Sequence, residues 1–195
     1  MKKIKYDLEK ADVTLYENIF TKKESESFFK ILKNNANWVH GKNNFGLEPR
    51  LTAWYSENGQ TYTYSGITKQ ANPWTSELLD IKKRIENEVN QKFNSCLLNY
   101  YRDKKDSISE HQDNEKELGK NPIIASVSFG DTRKFRLRPL PKKPRVFTDI
   151  NLTNGSLLLM KGSTQHFWSH EIPKSTIDVG PRINLTFRII KEVAT

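Results

Sequence analysis

Residues 182–189 read Arg-Ile-Asn-Leu-Thr-Phe-Arg-Ile, a strict alternation of polar and apolar side chains. Period two is the mark of a β-strand, whose successive side chains point to opposite faces. One face carries Ile183, Leu185, Phe187 and Ile189. The other carries Arg182, Asn184, Thr186 and Arg188. Such a strand either keeps its polar face in water or turns it into the interior of a small barrel. Inside a barrel, two guanidinium groups are costly unless they meet anions. A dicarboxylate supplies two anions on one short molecule, and a guanidinium fork binds a carboxylate in bidentate fashion. Asn99 and Tyr101, two residues apart, form a further polar pair on one strand face.

The second half of the chain is rich in such strands. Candidates run over 96–102, 123–129, 134–140, 156–161, 165–171 and 182–190, separated by turn pieces such as Asn154-Gly155 and Gly180-Pro181. The first half carries helical patterns. Thr21 and Glu24 form a capping box ahead of Phe28, Phe29 and Leu32. Asn72-Pro73 opens a second helix with Pro at its first position, and the stripe Leu78, Ile81, Ile85, Val89 carries it to about Asn90. Between the helices, Trp54 to Gly66 reads as a hairpin turning at Asn58-Gly59. Two helices followed by many short strands give an α+β chain whose catalytic part is a sandwich or jelly roll.

The 195 residues fit one domain. The single cysteine, Cys96, excludes a disulfide framework and any multi-cysteine metal site, and reads as a small buried hydrophobe. No run of 18 apolar residues exists to span a membrane, and the N-terminal lysines lead into acids rather than a signal peptide's apolar stretch. An intracellular protein is expected. The net charge of +9, from 32 Lys and Arg against 23 Asp and Glu, favours an anionic partner, nucleic acid above all. Arg133, Lys134, Arg136, Arg138, Lys142, Lys143 and Arg145 cluster in one stretch, either a solvated loop or a grip on phosphates.

Within residues 109–115, His111 and Asp113 stand two apart, so an extended backbone presents an imidazole and a carboxylate side by side. A second imidazole comes from His170 or from His166, which spacing alone does not separate. Two imidazoles and one carboxylate on one face of a metal leave its other positions open, as in non-haem Fe(II) oxygenases. The same set can also hold zinc, which leaves the paired arginines unexplained.

Asn99-x-Tyr101, His111-x-Asp113, His170 and Arg182-x-Asn184-x-Thr186-x-Arg188 occur in an order and spacing that resemble the AlkB family of Fe(II)- and 2-oxoglutarate-dependent nucleic-acid dealkylases. Blocks at 61–66, 124–130 and 155–158 look shared, and the resemblance runs from about Val39 to Ile190, closest to the DNA-repair members. It implies a double-stranded β-helix (jelly-roll) core over 93–195, with N-terminal helices and a nucleotide-recognition lid over 1–92. It implies Fe(II) on His111, Asp113 and His170, with His166 structural, and O2 as oxidant. It places 2-oxoglutarate on Asn99, Tyr101, Arg182, Asn184 and Arg188, with Arg188 also steadying Asp113. Tyr64 would stack on a flipped base, while Tyr62, Ser65 and Glu115 contact its edge. Asn114 stands where the family pattern has an acid. Arg50, Lys174 and the Arg133–Arg145 cations would grip the DNA backbone. His40 falls where the duplex-acting member has an aromatic finger. The implied activity is removal of N-methyl groups from 1-methyladenine and 3-methylcytosine in single- or double-stranded DNA, releasing formaldehyde, succinate and CO2. The implied enzyme is a monomer, cytoplasmic in a bacterium or nuclear in a eukaryote. Its rivals are an oxygenase of RNA or small molecules and a non-catalytic nucleic-acid binder on the same fold.

Overall fold

The computed structural model describes residues 1–43, 46–59, 62–64 and 67–191, with side chains at all of these except 43, 58, 62–64 and 67–69. In chain order the elements are β1 (Lys2–Tyr6), β2 (Asp12–Glu17), α1 (Lys22–Asn35), β3 (Lys42–Asn43), β4 (Gly46–Leu47), β5 (Leu51–Ser56), β6 (Tyr62–Tyr64) and β7 (Ile67–Lys69). There follow α2 (Ser76–Val89), β8 (Ser95–Tyr101), β9 (Ile108–His111), β10 (Ile124–Gly130), β11 (Arg133–Pro139), β12 (Thr148–Leu152), β13 (Ser156–Lys161), the short α3 (Thr164–Phe167), β14 (Trp168–Ile172) and β15 (Arg182–Arg188). No helix among the described residues is long and apolar enough to cross a membrane.

Seven strands form an antiparallel sheet in the order β1-β2-β13-β10-β15-β8-β5, and four form a second in the order β12-β11-β14-β9. The two sheets face each other in a jelly roll. Leu97, Tyr101, Ile124, Leu158 and Met160 of the larger sheet share a core with Phe135, Leu137, Ile150, Trp168 and Ile172 of the smaller. The opposite face of the larger sheet is covered by helices. Ile183, Leu185 and Phe187 of β15 and Leu98 of β8 pack there in one cluster with Leu32 of α1 and Leu78, Ile81 and Ile85 of α2. All seven residues of β15 are therefore buried, and its polar side lies between the sheets, not in water. Fully burying a side chain such as Phe187 contributes about 2 kcal/mol of transfer free energy.

The N-terminal half contributes more sheet than its helical patterns suggest. β1, β2 and β5 all come from the first 92 residues and pair into the larger sheet. The hairpin expected over Trp54–Gly66 does not form as such. β5 pairs with β8, residues 57–59 make a 3-10 turn, and β6 pairs with β7. Burial is the reason: Trp54 and Tyr55, on opposite faces of β5, are both fully buried, which a free-standing hairpin cannot provide. The second helix begins at Ser76 instead of Pro73, because the Thr75 hydroxyl caps it by accepting from the Leu78 N–H at 3.3 Å. It ends at a left-handed Asn90 with φ of 50°. The strand expected over 165–171 starts at Trp168, after the α3 turn. That turn directs exposed His166 to Asn121 Oδ1 at 3.0 Å, away from His170.

Candidate metal centre

The smaller sheet sets two imidazoles side by side. His111 ends β9 and is the direct cross-strand partner of His170 on β14, with ring centroids 4.3 Å apart. Asp113 follows in the irregular segment beyond β9. One donor atom from each of the three residues lies within 4.8 Å of the others. His170 Nε2 is 3.7 Å from Asp113 Oδ2, and Arg188 Nη2 donates to Asp113 Oδ1 at 2.5 Å. His111 Nδ1 donates to the Ser109 carbonyl at 2.8 Å, a tautomer that leaves the lone pair on Nε2.

Electrostatics favour the metal-ready protonation states. Burial lowers both imidazoles, His170 to about 3 with His111 adding to the effect, so both are neutral. Burial alone would raise Asp113. The Arg188 guanidinium, which also donates to it, outweighs burial and holds the carboxyl below its ordinary value, hence ionised. Two neutral imidazoles and a carboxylate are a donor set suited to a divalent ion such as Fe(II).

Across the same cavity stands the polar face of β15. Arg182 is 1% exposed and donates through Nη2 to Ser128 Oγ at 2.8 Å, while its Nε and Nη1 have no hydrogen-bond partner among the described residues. Burial lowers its pKa to about 10, so it remains a cation at neutral pH. Its guanidinium carbon is 5.3 Å from the Tyr101 ring centroid. Two orphaned donors on a buried cation call for a carboxylate. Asn99 and Tyr101 line the cavity from β8, paired in register with Asn184 and Arg182. Asn99 Oδ1 accepts from Arg50 Nε at 2.8 Å. Asn184 also lines the cavity, but its amide is committed within the protein. It donates to Ser126 Oγ at 2.7 Å and to the Val127 carbonyl at 3.0 Å, and accepts from Thr186.

A model of the 2OG-Fe(II) oxygenase superfamily matches residues 12–188. The mouse alpha-ketoglutarate-dependent dioxygenase alkB homolog 3 is 42% identical over 193 residues, covering 91% of this chain and 66% of that protein. The mouse DNA oxidative demethylase ALKBH2 is 36% identical over 188 residues, covering 90% of this chain and 79% of the relative. The chain belongs to the AlkB family of 2OG-Fe(II) oxygenases. The solved structure of OsALKBH1 superposes with a TM-score of 0.67 at 17% identity, covering 91% of this chain and 96% of that one, a likeness of fold. The AlkB-family chain spans just under two thirds of the length of the first curated relatives it matches, 66% and 62%. Its superfamily uses Fe(II), 2-oxoglutarate and O2. The triad and the orphaned Arg182 donors fit the metal and the dicarboxylate respectively.

Of the residues expected to meet a base, Tyr62 and Tyr64 lie on β6, and Ser65 falls outside the described residues. Glu115 is half-buried, and its Oε2 has no hydrogen-bond partner among the described residues. His40 is exposed, with its Nε2 2.8 Å from the Glu48 carbonyl.

Two expected phosphate contacts are corrected. Arg50 is buried and donates to Asn99 and, at 3.1 Å, to Glu48. Arg133 is buried and donates to the carbonyls of Asp103, Asp106 and Pro173. Each cation is consumed by internal acceptors and is closed to a duplex. Four more cluster cations have acidic partners. Arg136 is bidentate to Asp149 at 2.7 and 2.9 Å, Lys134 lies 3.7 Å from the same carboxylate, Arg138 pairs with Glu171 and Glu110, and Lys142 pairs with Glu110 at 3.1 Å. Lys143, Arg145 and Lys174 are exposed without an ion pair among the described residues.

Ser126, Ser128 and Gln165 belong to the site although the sequence reading passed over them. For the serines the signal was present: two small polar residues at period two in an otherwise apolar strand.

Proposed function

We propose that the chain is an oxidative demethylase that removes N-methyl groups from 1-methyladenine and 3-methylcytosine in DNA, using Fe(II), 2-oxoglutarate and O2. The observation that carries this reading is one buried cavity holding the His111, Asp113, His170 triad opposite the two unpartnered donors of Arg182. The relatives named dioxygenase and DNA oxidative demethylase support it.

His111, Asp113 and His170 hold the metal, and Arg188 keeps the carboxylate ionised and in place. Bound iron with 2-oxoglutarate supplies the oxidising power that hydroxylates a methyl group on nitrogen. Arg182, beside Tyr101, binds the distal carboxylate through its free fork, while Asn99 and Arg188 serve the metal-proximal end. Asn184 acts by fixing Ser126 and Thr186 around the ligand. Leu97, Ile108, Phe135, Met160 and Ile172 line the cavity and exclude water. The target base enters by flipping, which costs less for a cationic lesion that cannot pair. Tyr62, Tyr64 and Ser65 receive it, and Glu115 accepts from its edge. Lys143, Arg145 and Lys174 meet the backbone phosphates, and His40 probes the gap left in the strand. The enzyme works as a single-domain monomer inside the cell.

The test is incubation with Fe(II), 2-oxoglutarate and methylated oligonucleotides presented as single-stranded DNA, duplex DNA and RNA, with formaldehyde and succinate measured together. Formaldehyde should appear from DNA in step with succinate. His170→Ala should lower both by more than about a hundredfold. Succinate without formaldehyde from any DNA would remove the DNA reading and leave only an oxygenase.

A further inference from the structure

The positions of the two imidazoles follow from strand pairing, because His111 and His170 face each other across β9 and β14. The third donor has no such support. Asp113 lies two residues past the end of β9, outside any ladder. A metal ligand must nevertheless be placed to within a few tenths of an ångström. Its carboxylate is held at one oxygen by Arg188. Its backbone N–H donates to the side-chain oxygen of Gln165 at 2.9 Å.

Gln165 is built to hold that position. It is 1% exposed and sits in the α3 turn next to Thr164, whose hydroxyl donates to the Lys161 carbonyl at 2.6 Å and accepts from the Asp12 N–H at 2.9 Å. Its own carbonyl accepts from Gln112 Nε2 at 2.5 Å, so consecutive residues of the 112–113 segment are tied to one residue of α3. The orientation of its amide is fixed by chemistry. A backbone N–H can only donate, so Oε1 must face Asp113, and Nε2 then turns to Met160 Sδ at 3.7 Å.

We propose that Gln165 is the positioning residue for Asp113. Its side-chain oxygen takes the place of the missing ladder bond and determines where the carboxylate stands relative to the two imidazoles. The proposal rests on the metal-centre reading above. It differs from a purely structural role in requiring that metal affinity depend on this one acceptor.

Two variants and two readouts test it. Gln165→Met keeps the volume and removes the amide oxygen, whereas Gln165→Glu keeps an oxygen at the same place. Amide hydrogen exchange of the metal-free protein reads the Asp113 N–H directly, and a Co(II) titration followed by visible absorption reads metal affinity. Gln165→Met should speed exchange at Asp113 roughly tenfold and weaken Co(II) binding roughly tenfold, the usual scale for a residue that orients a ligand. Gln165→Glu should return both to within about threefold of the parent. Unchanged Co(II) affinity in Gln165→Met would overturn the proposal. So would an Asp113 amide that, in the parent itself, exchanges as fast as that of exposed Asn114, a result that needs no variant to fold. A parent that fails to bind Co(II) at all would instead overturn the metal-centre reading, and the exchange comparison would still decide whether Gln165 holds Asp113.

Discussion

At the scale of residues, the cavity places cost and use on the same side chains. Arg182 is buried with two donors unpaired, an arrangement that disfavours the folded state unless a ligand accepts from them. Arg182→Met should therefore raise the KM for 2-oxoglutarate by roughly a hundredfold, the loss of two charged hydrogen bonds, while leaving Tm unchanged or raised. Thermal denaturation beside steady-state kinetics checks both, and a marked fall in Tm would make the arginine structural. Which side chains share a face was legible in the sequence, because period two is a property of any strand. Which cations reach solvent was not. Arg50 and Arg133 look like their neighbours in sequence, and their burial depends on acceptors brought from Asn99, Asp106 and Pro173 by the fold.

At the scale of elements, local chemistry was readable wherever it closed locally. The Thr21–Glu24 capping box forms as the pattern requires, with the Glu24 N–H donating to Thr21 Oγ1 at 3.2 Å. Elements decided by distant partners were not readable. β5 joins β8, and α3 interrupts an aromatic run that otherwise reads as strand. The end of α2 offers a test of its own. Glu86 is buried, accepts from the Phe93 N–H at 2.8 Å and pairs with Lys92 at 3.0 Å, fastening the helix to the start of β8. Burial raises its pKa, but these partners and Lys82 lower it further, leaving a net depression below 4.5. A depressed carboxyl pKa contributes stability above the unfolded value, and that contribution disappears as pH falls through the folded value. Glu86→Gln should thus cost about 1–2 kcal/mol at pH 7. The difference from the parent should shrink to nothing in denaturant titrations carried below the folded pKa. A gap that persists in acid would show that the charge is not what α2 uses.

At the scale of the whole molecule, the net charge of +9 is less available than it looks. The densest run of cations is largely neutralised by Asp149, Glu110 and Glu171, leaving Lys143 and Arg145 open within it and Lys174 open outside it. Three phosphate contacts predict a slope of about −2 to −3 for log K against log salt in DNA binding. Fluorescence anisotropy across a salt series measures it, and a slope steeper than about −5 would mean that the paired cations leave their acids for phosphates. The larger sheet carries a different consequence. β15 lies between β10 and β8, both of which leave the ribosome well before it. Until it arrives, the nascent chain holds two unpaired strand edges and an apolar helix layer with no centre to close on, the condition in which chains associate wrongly. The strand that brings Arg182 and Arg188 is also the one that completes the sheet, so a chain that has not finished folding lacks the two buried cations proposed to hold 2-oxoglutarate.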